Sequence, residues 1–333
     1  MSQSSSKLVR GRFAPSPSGR MHLGNGLSAL ISWLDVRKLS GEMVFRMEDL
    51  DPNRSKPHFA QWIVEDLRWL GLDWDEGPDI GGAYGPYSQS ARRDLYQAHL
   101  ERLQDKGLVY ACTCTRQELH DASAPHASDG EPIYAGTCRH QSSAQSSAQT
   151  NALNASDFSG KHRPPAMRIA VPTTPMHFVD LNYGPQSQNL ATLCGDFILK
   201  RSDGIHAYQL AVTVDDALMG ITRVVRGQDL LTSVARQSYL HTQLGYQPPQ
   251  YGHVPLMVGP DGVRLSKRHL ATDFGYWRER GVAPEQLVGL LAYLSGLIEK
   301  PEPLKPCELI PHFDWNKLKK EHIVVSQEAL NWL

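Results

Sequence analysis

In the first third of the chain, the spacing of apolar residues is alternately that of a strand and that of a helix. Leu8, Val9 and Phe13 indicate a short strand, and the Pro, Ser and Gly that follow cannot continue it. A helical stripe begins at about Asn25 and ends at Gly41, and a buried strand follows at 43–47. Two further helical patterns lie at 58–70 and 90–106. This alternation of strands and helices predicts an α/β fold with a parallel sheet.

The second half of the chain contains mostly shorter elements. Residues 167–171 and 177–181 alternate as antiparallel strands do. Further strands are predicted within 195–204, which ends in a tight turn, at 221–225 and at 254–258. Helices are expected near 284–297 and 326–332.

Nothing in this pattern is typical of a membrane protein. Residues 1–12 lack the apolar segment of a signal peptide. The longest apolar run, 287–298, is shorter than the roughly 20 residues that cross a bilayer. We therefore expect a cytoplasmic protein with no membrane partner.

The composition is that of an ordinary globular protein. Its 333 residues, 41% of them hydrophobic, suffice for a full core divided among two or three lobes. The formal net charge of −1 excludes a generally basic surface, so RNA would have to bind a local patch. The candidates for that patch, chosen only as cations, are Arg92, Arg93, Lys317, Lys319 and Lys320. Residues 141–156 are nearly all Ser, Ala, Gln, Asn and Thr, which predicts a mobile loop with no active role.

The turn between the first strand and the first helix has the features of a phosphate site. Such a junction directs free backbone N–H groups and the positive end of a helix dipole at one place. His22 can donate to phosphate oxygens there, and Gly24 lets a flat base lie against the backbone. The alternative is a solvated surface loop in which His22 has no role.

Charged residues follow two of the predicted strands. Glu48, Asp49 and Asp51 come after the strand at 43–47, and Arg226 comes after the strand at 221–225. The carboxyl edge of a parallel sheet is where such folds bind their ligands. An Arg at that edge most simply binds a carboxylate through two hydrogen bonds, although a surface Arg without a ligand is the alternative.

A basic segment follows the last buried strand. Arg264, Lys267 and Arg268 surround Ser266, so this loop can fold over a polyphosphate and neutralise charge on a leaving pyrophosphate. On its own the motif is weak, since short basic loops usually face solvent.

Three of the five cysteines lie between 112 and 138, which is typical of metal binding rather than of a disulfide framework. Cys112, Cys114 and Cys138 supply three soft ligands, and Tyr134 is near enough in sequence to complete a tetrahedron around zinc. The alternatives to Tyr134 are His120, His126 and His140. Free buried thiols are the alternative to any metal.

These motifs resemble those of a known enzyme class. The sequence from His22 to Asn25 resembles the HIGH signature of class I aminoacyl-tRNA synthetases, and 264–268 resembles their KMSKS loop. Blocks at 12–18, 45–51 and 208–229 are similar to the glutamyl branch of that class and occur in the same order. Three residues depart from the signatures: Asn25 replaces a His, Arg264 a Lys and Arg268 a Ser. Each replacement keeps a hydrogen-bond donor or a cation.

The resemblance implies a Rossmann-type doubly wound parallel sheet in two halves. Its implied parts are the first half of the catalytic domain at 7–107, an inserted zinc-binding, acceptor-type subdomain at 108–195, the second half at 196–270, and a short helical region at 271–333.

The resemblance also implies a reaction, in which L-glutamate and ATP give glutamyl-adenylate and pyrophosphate, with Mg²⁺ accompanying the ATP. His22 and Lys267 would stabilise the developing charge as catalytic residues. The residues implied to bind ATP are His22, Gly24, Asn25, Arg264, Ser266 and Lys267. Those implied to bind glutamate are Arg12, Phe13, Ala14, Pro15, Ser16, Glu48, Tyr208 and Arg226.

Because 65 residues follow Arg268, we expect no large anticodon-reading domain. Short synthetase-like proteins of this kind carry one structural zinc ion on a pattern that Cys112, Cys114, Tyr134 and Cys138 match. The match implies transfer of glutamate to queuosine at the wobble position of tRNA(Asp), by a protein expected to be a monomer. Three alternatives remain: a truncated synthetase that charges the tRNA 3′ end, an inactive tRNA-binding paralogue, and a small-molecule ligase.

Overall fold

The computed structural model describes residues 8–115, 133–134, 136–139, 164–263, 265 and 273–333. The strands are β1 (Arg10–Phe13), β2 (Glu42–Phe45), β3 (Val109–Cys112), β4 (Ala166–Ile169), β5 (Met176–Asp180), β6 (Gly184–Gln188), β7 (Phe197–Lys200), β8 (Arg223–Gly227), β9 (Gln250–Val254), β10 (Met257–Val258) and β11 (Ile323–Val324). The helices are α1 (Leu23–Lys38), α2 (Pro57–Trp69), α3 (Arg93–Asp105), α4 (Leu190–Leu193), α5 (Tyr208–Leu218), α6 (Val234–Leu244), α7 (Phe274–Glu279), α8 (Pro284–Ser295), α9 (Pro306–Leu309) and α10 (Gln327–Leu330).

A six-stranded sheet in the order β2-β1-β8-β9-β5-β6 forms the centre of the fold. All neighbouring strands in it are parallel except the β5–β6 hairpin. The chain leaves β1 towards β2 on one side and returns to β8 on the other. The order therefore reverses at β1, and such a switch point opens a crevice at the carboxyl ends of the strands. This arrangement confirms the predicted α/β class.

A separate antiparallel sheet has the order β3-β4-β7. It follows that the predicted strands at 167–171 and 177–181 belong to different sheets, since β4 pairs with β3 and β7 whereas β5 joins the central sheet. The sheets thus cross the predicted boundaries at 108 and 195: β5 and β6 extend the central sheet, and β7 completes the smaller one. The division into four parts remains a prediction.

Helix α1 starts two residues earlier than its apolar stripe indicates, because polar side chains cap it. The His22 ring accepts a hydrogen bond from the Gly24 N–H, and Asn25 Oδ1 accepts one from the His22 N–H. These bonds satisfy backbone donors that the first turn of a helix leaves free.

The largest hydrophobic cluster lies between α1 and the C-terminal region. Leu27, Leu30 and Leu34 are fully buried, and they pack in one cluster with Leu290 of α8 and Ile323 of β11. The last part of the chain thereby supports the helix whose N terminus faces the crevice. Among the described residues no helix is long and apolar enough to span a membrane.

Candidate active site

A cleft of about 890 Å³ opens at the carboxyl ends of β1, β2 and β8. It is large enough for a nucleotide and an amino acid together. Of the fourteen residues predicted to bind ATP or glutamate, eleven line it: Arg12, Phe13, Ala14, Pro15, Ser16, His22, Gly24, Asn25, Glu48, Tyr208 and Arg226. The remaining three, Arg264, Ser266 and Lys267, lie outside the described residues, as does Arg268.

The His22 turn joins the cleft to the positive end of α1. Because His22 Nδ1 accepts the Gly24 N–H at 3.1 Å, a neutral ring carries its proton on Nε2. A Cβ added at Gly24 would lie 3.1 Å from the His22 ring, so a side chain there would press on the imidazole. Asn25, one of the departures from the HIGH signature, serves here as part of the helix cap.

Described residues on both sides of 266–272 lie at the cleft or at the His22 turn. On one side Leu265 is buried, lines the cleft and donates its N–H to the Met257 carbonyl at 3.0 Å. On the other side Asp273 bridges to His22, and the Phe274 N–H donates to the Met21 carbonyl at 3.1 Å. The described neighbours of 266–272 are therefore Leu265, which lines the cleft, and Asp273, which pairs with His22.

A chain of alternating charges lies beneath the cleft. Arg46 is fully buried and ion-pairs with Glu48 at 3.2 Å and with Asp216 at 2.8 Å. Asp216 in turn lies 3.5 Å from Nε of Arg12, whose other end donates to the Val225 carbonyl. One buried Arg–Asp pair thus connects the two residues predicted to bind the opposite charges of glutamate.

The buried ion pairs explain the pKa shifts of Glu48 and Asp216. Burial raises the pKa of Glu48, and the attraction of Arg46 and Arg12 offsets only part of the rise. Burial would also raise the pKa of Asp216, but Arg46 and Arg12 outweigh it and lower the pKa. Asp216 is therefore stabilised as the carboxylate, whereas the ionised form of Glu48 would be favoured further by a bound cation.

Arg226 lies at the end of β8, as predicted, with its hydrogen-bond donors largely occupied. Its Nε–H donates to His253 Nε2 at 3.1 Å, one terminal nitrogen donates to Gln237 Oε1 at 2.8 Å, and the other to the Leu230 carbonyl at 3.1 Å. In addition, the Tyr208 hydroxyl lies 3.5 Å from a terminal nitrogen of the guanidinium. A carboxylate that binds through two hydrogen bonds must therefore share these donors with protein groups.

Sequence reasoning missed four buried residues around the site: Arg46, Asp180, Asp216 and His253. Arg46 lies within a block that was recognised, but nothing local assigned it a role. Asp216 likewise lies within the recognised block 208–229, where the further signal was a pair of acidic residues in an otherwise apolar stretch, and such residues are rarely buried without a partner.

The three predicted cysteine ligands come together beside the antiparallel sheet β3-β4-β7, which we call the smaller lobe. The Sγ atoms of Cys112, Cys114 and Cys138 all lie within 4.8 Å of one another, and the Tyr134 hydroxyl lies 3.6 Å from Cys112 Sγ. Tetrahedral zinc–sulfur bonds of about 2.3 Å would hold sulfurs roughly 3.8 Å apart. The cluster is therefore consistent with a zinc site. The alternative ligands His120, His126 and His140 lie outside the described residues.

Hydrogen bonds within the cluster give Cys114 and Cys138 different pKa values. Burial raises the pKa of Cys114 to about 12. Burial would likewise raise that of Cys138, but the Tyr134 hydroxyl and the Thr113 backbone N–H lower it to about 7. A bound cation would favour the thiolate form of each ligand.

Comparison with known proteins gives one consistent family. Residues 8–332 match the model of the catalytic domain of class I tRNA synthetases (E and Q). The chain is 49% identical to a protein from Symbiobacterium thermophilum named glutamyl-Q tRNA(Asp) synthetase, over 97% of this chain and 98% of that protein. A glutamate–tRNA ligase from Natranaerobius thermophilus is 39% identical over 98% of this chain and 65% of its own length. Among solved structures, a glutamate tRNA ligase from Elizabethkingia meningosepticum in complex with its amino acid matches with a TM-score of 0.79 and 30% identity, over 98% of this chain and 68% of that one.

Proposed function

Because the chain belongs to the class I tRNA synthetases of the glutamyl and glutaminyl (E and Q) family, we propose that it activates L-glutamate with ATP and transfers the glutamate to queuosine in tRNA(Asp). The observation that carries this proposal is the similarity to the glutamyl-Q tRNA(Asp) synthetase of Symbiobacterium thermophilum, which extends over nearly all of both chains. The cleft beside the His22 turn supports the activation step, because the N terminus of α1 and the cationic side chains of Arg12 and Arg226 all lie at its wall.

In the activation step the α-carboxylate of glutamate attacks the α-phosphate of ATP, and pyrophosphate leaves. Catalysis then depends on positioning and on stabilising the charge that develops on phosphate oxygens. His22 is proposed to donate to those oxygens from the cleft wall, and Lys267 to neutralise the leaving pyrophosphate. Mg²⁺ is proposed to enter with ATP and to offset charge on its phosphates.

The glutamate pocket is proposed to lie between the two ends of the buried charge chain and Arg226. Glu48 suits the ammonium group of the substrate, whereas Arg12 and Arg226 suit its carboxylates. Ser16, exposed at the cleft wall, and Tyr208 add neutral hydrogen-bond groups. Glutamine in place of glutamate would leave a buried Arg facing an uncharged amide, which disfavours it.

A labelled-substrate experiment tests the acceptor. Purified protein with ATP and labelled glutamate is expected to label tRNA(Asp) that carries queuosine and to leave tRNA(Asp) with unmodified guanosine unlabelled. Labelling of tRNA(Glu) at its 3′-terminal ribose would instead identify a synthetase that charges tRNA. No exchange of label between pyrophosphate and ATP in the presence of glutamate would identify a binding protein without chemistry.

The smaller lobe is proposed to hold one structural zinc ion through Cys112, Cys114, Cys138 and Tyr134. We expect one equivalent of zinc in the purified protein and its loss in a Cys112→Ser variant, measured by elemental analysis. Tyr134→Phe should weaken zinc retention under chelation, since it removes one ligand and keeps the ring. Exposed Cys307 provides the control, because Cys307→Ser should retain the metal. Full zinc content in Cys112→Ser would contradict the assignment.

A further inference from the structure

The charge of Arg226 is held by neutral groups. Arg226 is 5% exposed, and its guanidinium contacts a His ring, a Gln amide, a backbone carbonyl and a Tyr hydroxyl. Within the part of the chain that the structure describes, no carboxylate forms an ion pair with it. Arg12 and Arg46 differ in this respect, because both lie in ion-pair contact with Asp216. The positive charge of Arg226 therefore lies at the cleft wall with no described carboxylate in ion-pair contact.

The partner at Nε of Arg226 is fixed in one protonation state by its neighbours. Arginine has no acceptor, so His253 Nε2 must accept the Nε–H at 3.1 Å and cannot carry a proton. The proton lies on Nδ1, which donates to Asp180 Oδ2 at 2.5 Å. Burial lowers the pKa of His253, in agreement with a neutral ring.

Asp180 is itself held in place. Its Oδ1 accepts the backbone N–H groups of Asn182 and Tyr183 at 3.0 and 2.9 Å, at the turn that ends β5. The side chains of Asp180 and His253 are both fully buried. The orientation of the guanidinium is therefore transmitted from the end of β5 through the imidazole to the cleft.

We infer that His253 is a positioning residue for the glutamate substrate, a neutral spacer that fixes the Arg226 guanidinium without cancelling its charge. This inference rests on the proposed binding of glutamate at Arg226. A carboxylate in direct contact with Arg226 would orient it equally well, but it would neutralise the charge that a substrate carboxylate needs. The imidazole keeps the anion of Asp180 one ring farther away, so the spacer serves both affinity for glutamate and rejection of glutamine.

Three variants separate orientation from charge. His253→Leu removes the acceptor, His253→Gln restores a neutral acceptor near the position of Nε2, and the double variant Asp180→Asn/His253→Asp brings a carboxylate to Arg226 without adding net charge. His99→Leu is the matched control, since His99 is also buried and hydrogen bonded, to Tyr246, but does not line the cleft. Glutamate-dependent ATP–pyrophosphate exchange measures the KM for each substrate, inhibition by glutamine measures selectivity, and thermal unfolding verifies folding.

We expect His253→Leu to raise the KM for glutamate about tenfold or more, as the loss of a hydrogen bond to a charged group does. The KM for ATP should stay within about twofold of the wild type, because its proposed site lies at the His22 turn. His253→Gln should recover most of the affinity for glutamate. The double variant should bind glutamate weakly and lose preference over glutamine.

Equal KM values for glutamate in the wild type, His253→Leu and the double variant would overturn the inference while leaving the proposed function intact. A wild type that gives no exchange with glutamate would instead overturn the proposed function. If His253→Leu does not fold, the comparison of His253→Gln with the double variant decides alone. The inference is supported if His253→Gln binds glutamate tightly and the double variant binds it weakly without preference over glutamine. Equal affinities of the two variants for glutamate would reject it.

Discussion

Replacing His22 by Ala is expected to lower kcat for glutamate-dependent ATP–pyrophosphate exchange about 100-fold or more, with a smaller change in the KM for ATP. Removal of one donor that meets developing charge in a closed site typically has an effect of this size. The structure supports the role, since His22 lines the cleft at the N terminus of α1. His58→Ala is the control, because His58 is exposed on α2 and does not line the cleft.

The double variant with Lys267→Ala extends this test to the basic segment. If both side chains stabilise the same transition state, each single substitution removes most of the benefit, and the combined loss should be smaller than the product of the two. Strictly multiplicative losses would place the two side chains in independent roles. Wild-type kcat in His22→Ala would contradict the assignment of the cleft as the site of activation.

Replacing Asp216 by Asn is expected to weaken both folding and glutamate binding. The substitution removes the ion pair of buried Arg12 and one of the three carboxylates around buried Arg46, which keeps Glu48 and Asp215. Loss of one member of a buried pair, here at Arg12, destabilises by about 3 kcal/mol or more. The KM for glutamate should rise at least about tenfold, because Arg12 and Glu48 are held through the same pair. Chemical denaturation and exchange kinetics measure the two effects.

The control for this substitution is Asp203→Asn, since Asp203 also pairs with an Arg but is exposed. Such a surface pair contributes little, so its loss should change stability by less than about 1 kcal/mol.

The contribution of Asp216 to the free energy of unfolding should also depend on pH. Its pKa is lowered in the folded state, so its contribution is present at neutral pH and is lost on acidification through that pKa. Wild-type stability and KM in Asp216→Asn would show that the charge chain has no positioning role.

The parts of the site that sequence predicts are those with local signatures. The turn at His22 follows β1, the acidic residues follow β2, and Arg226 lies at the end of β8. The sheet brings them together because parallel strands share a carboxyl edge. The position of Glu48 beside the cleft follows from the chain leaving β2, and it required no knowledge of distant contacts.

The supporting residues have no such signature. Arg46 and Asp216 form one ion pair from opposite halves of the chain, and Asp180 reaches His253 from a different strand. Helix α5 was missed for another reason: its run of Val and Thr residues has the composition of a strand, and burial against α3 and α6 overrides that preference. Tertiary context decides all of these features, so the spacing of residues alone cannot reveal them.

The switch at β1 has a consequence for how the protein is made. One wall of the cleft, with Arg12 and His22, leaves the ribosome early, whereas β8 and β9 are translated only after the whole cysteine lobe. Until then β1 has β2 on one side and an open edge on the other, which invites pairing with foreign strands. Nascent chains released before β8 should therefore be prone to aggregate and incapable of holding substrate, and maturation of the catalytic centre becomes a late event in biosynthesis.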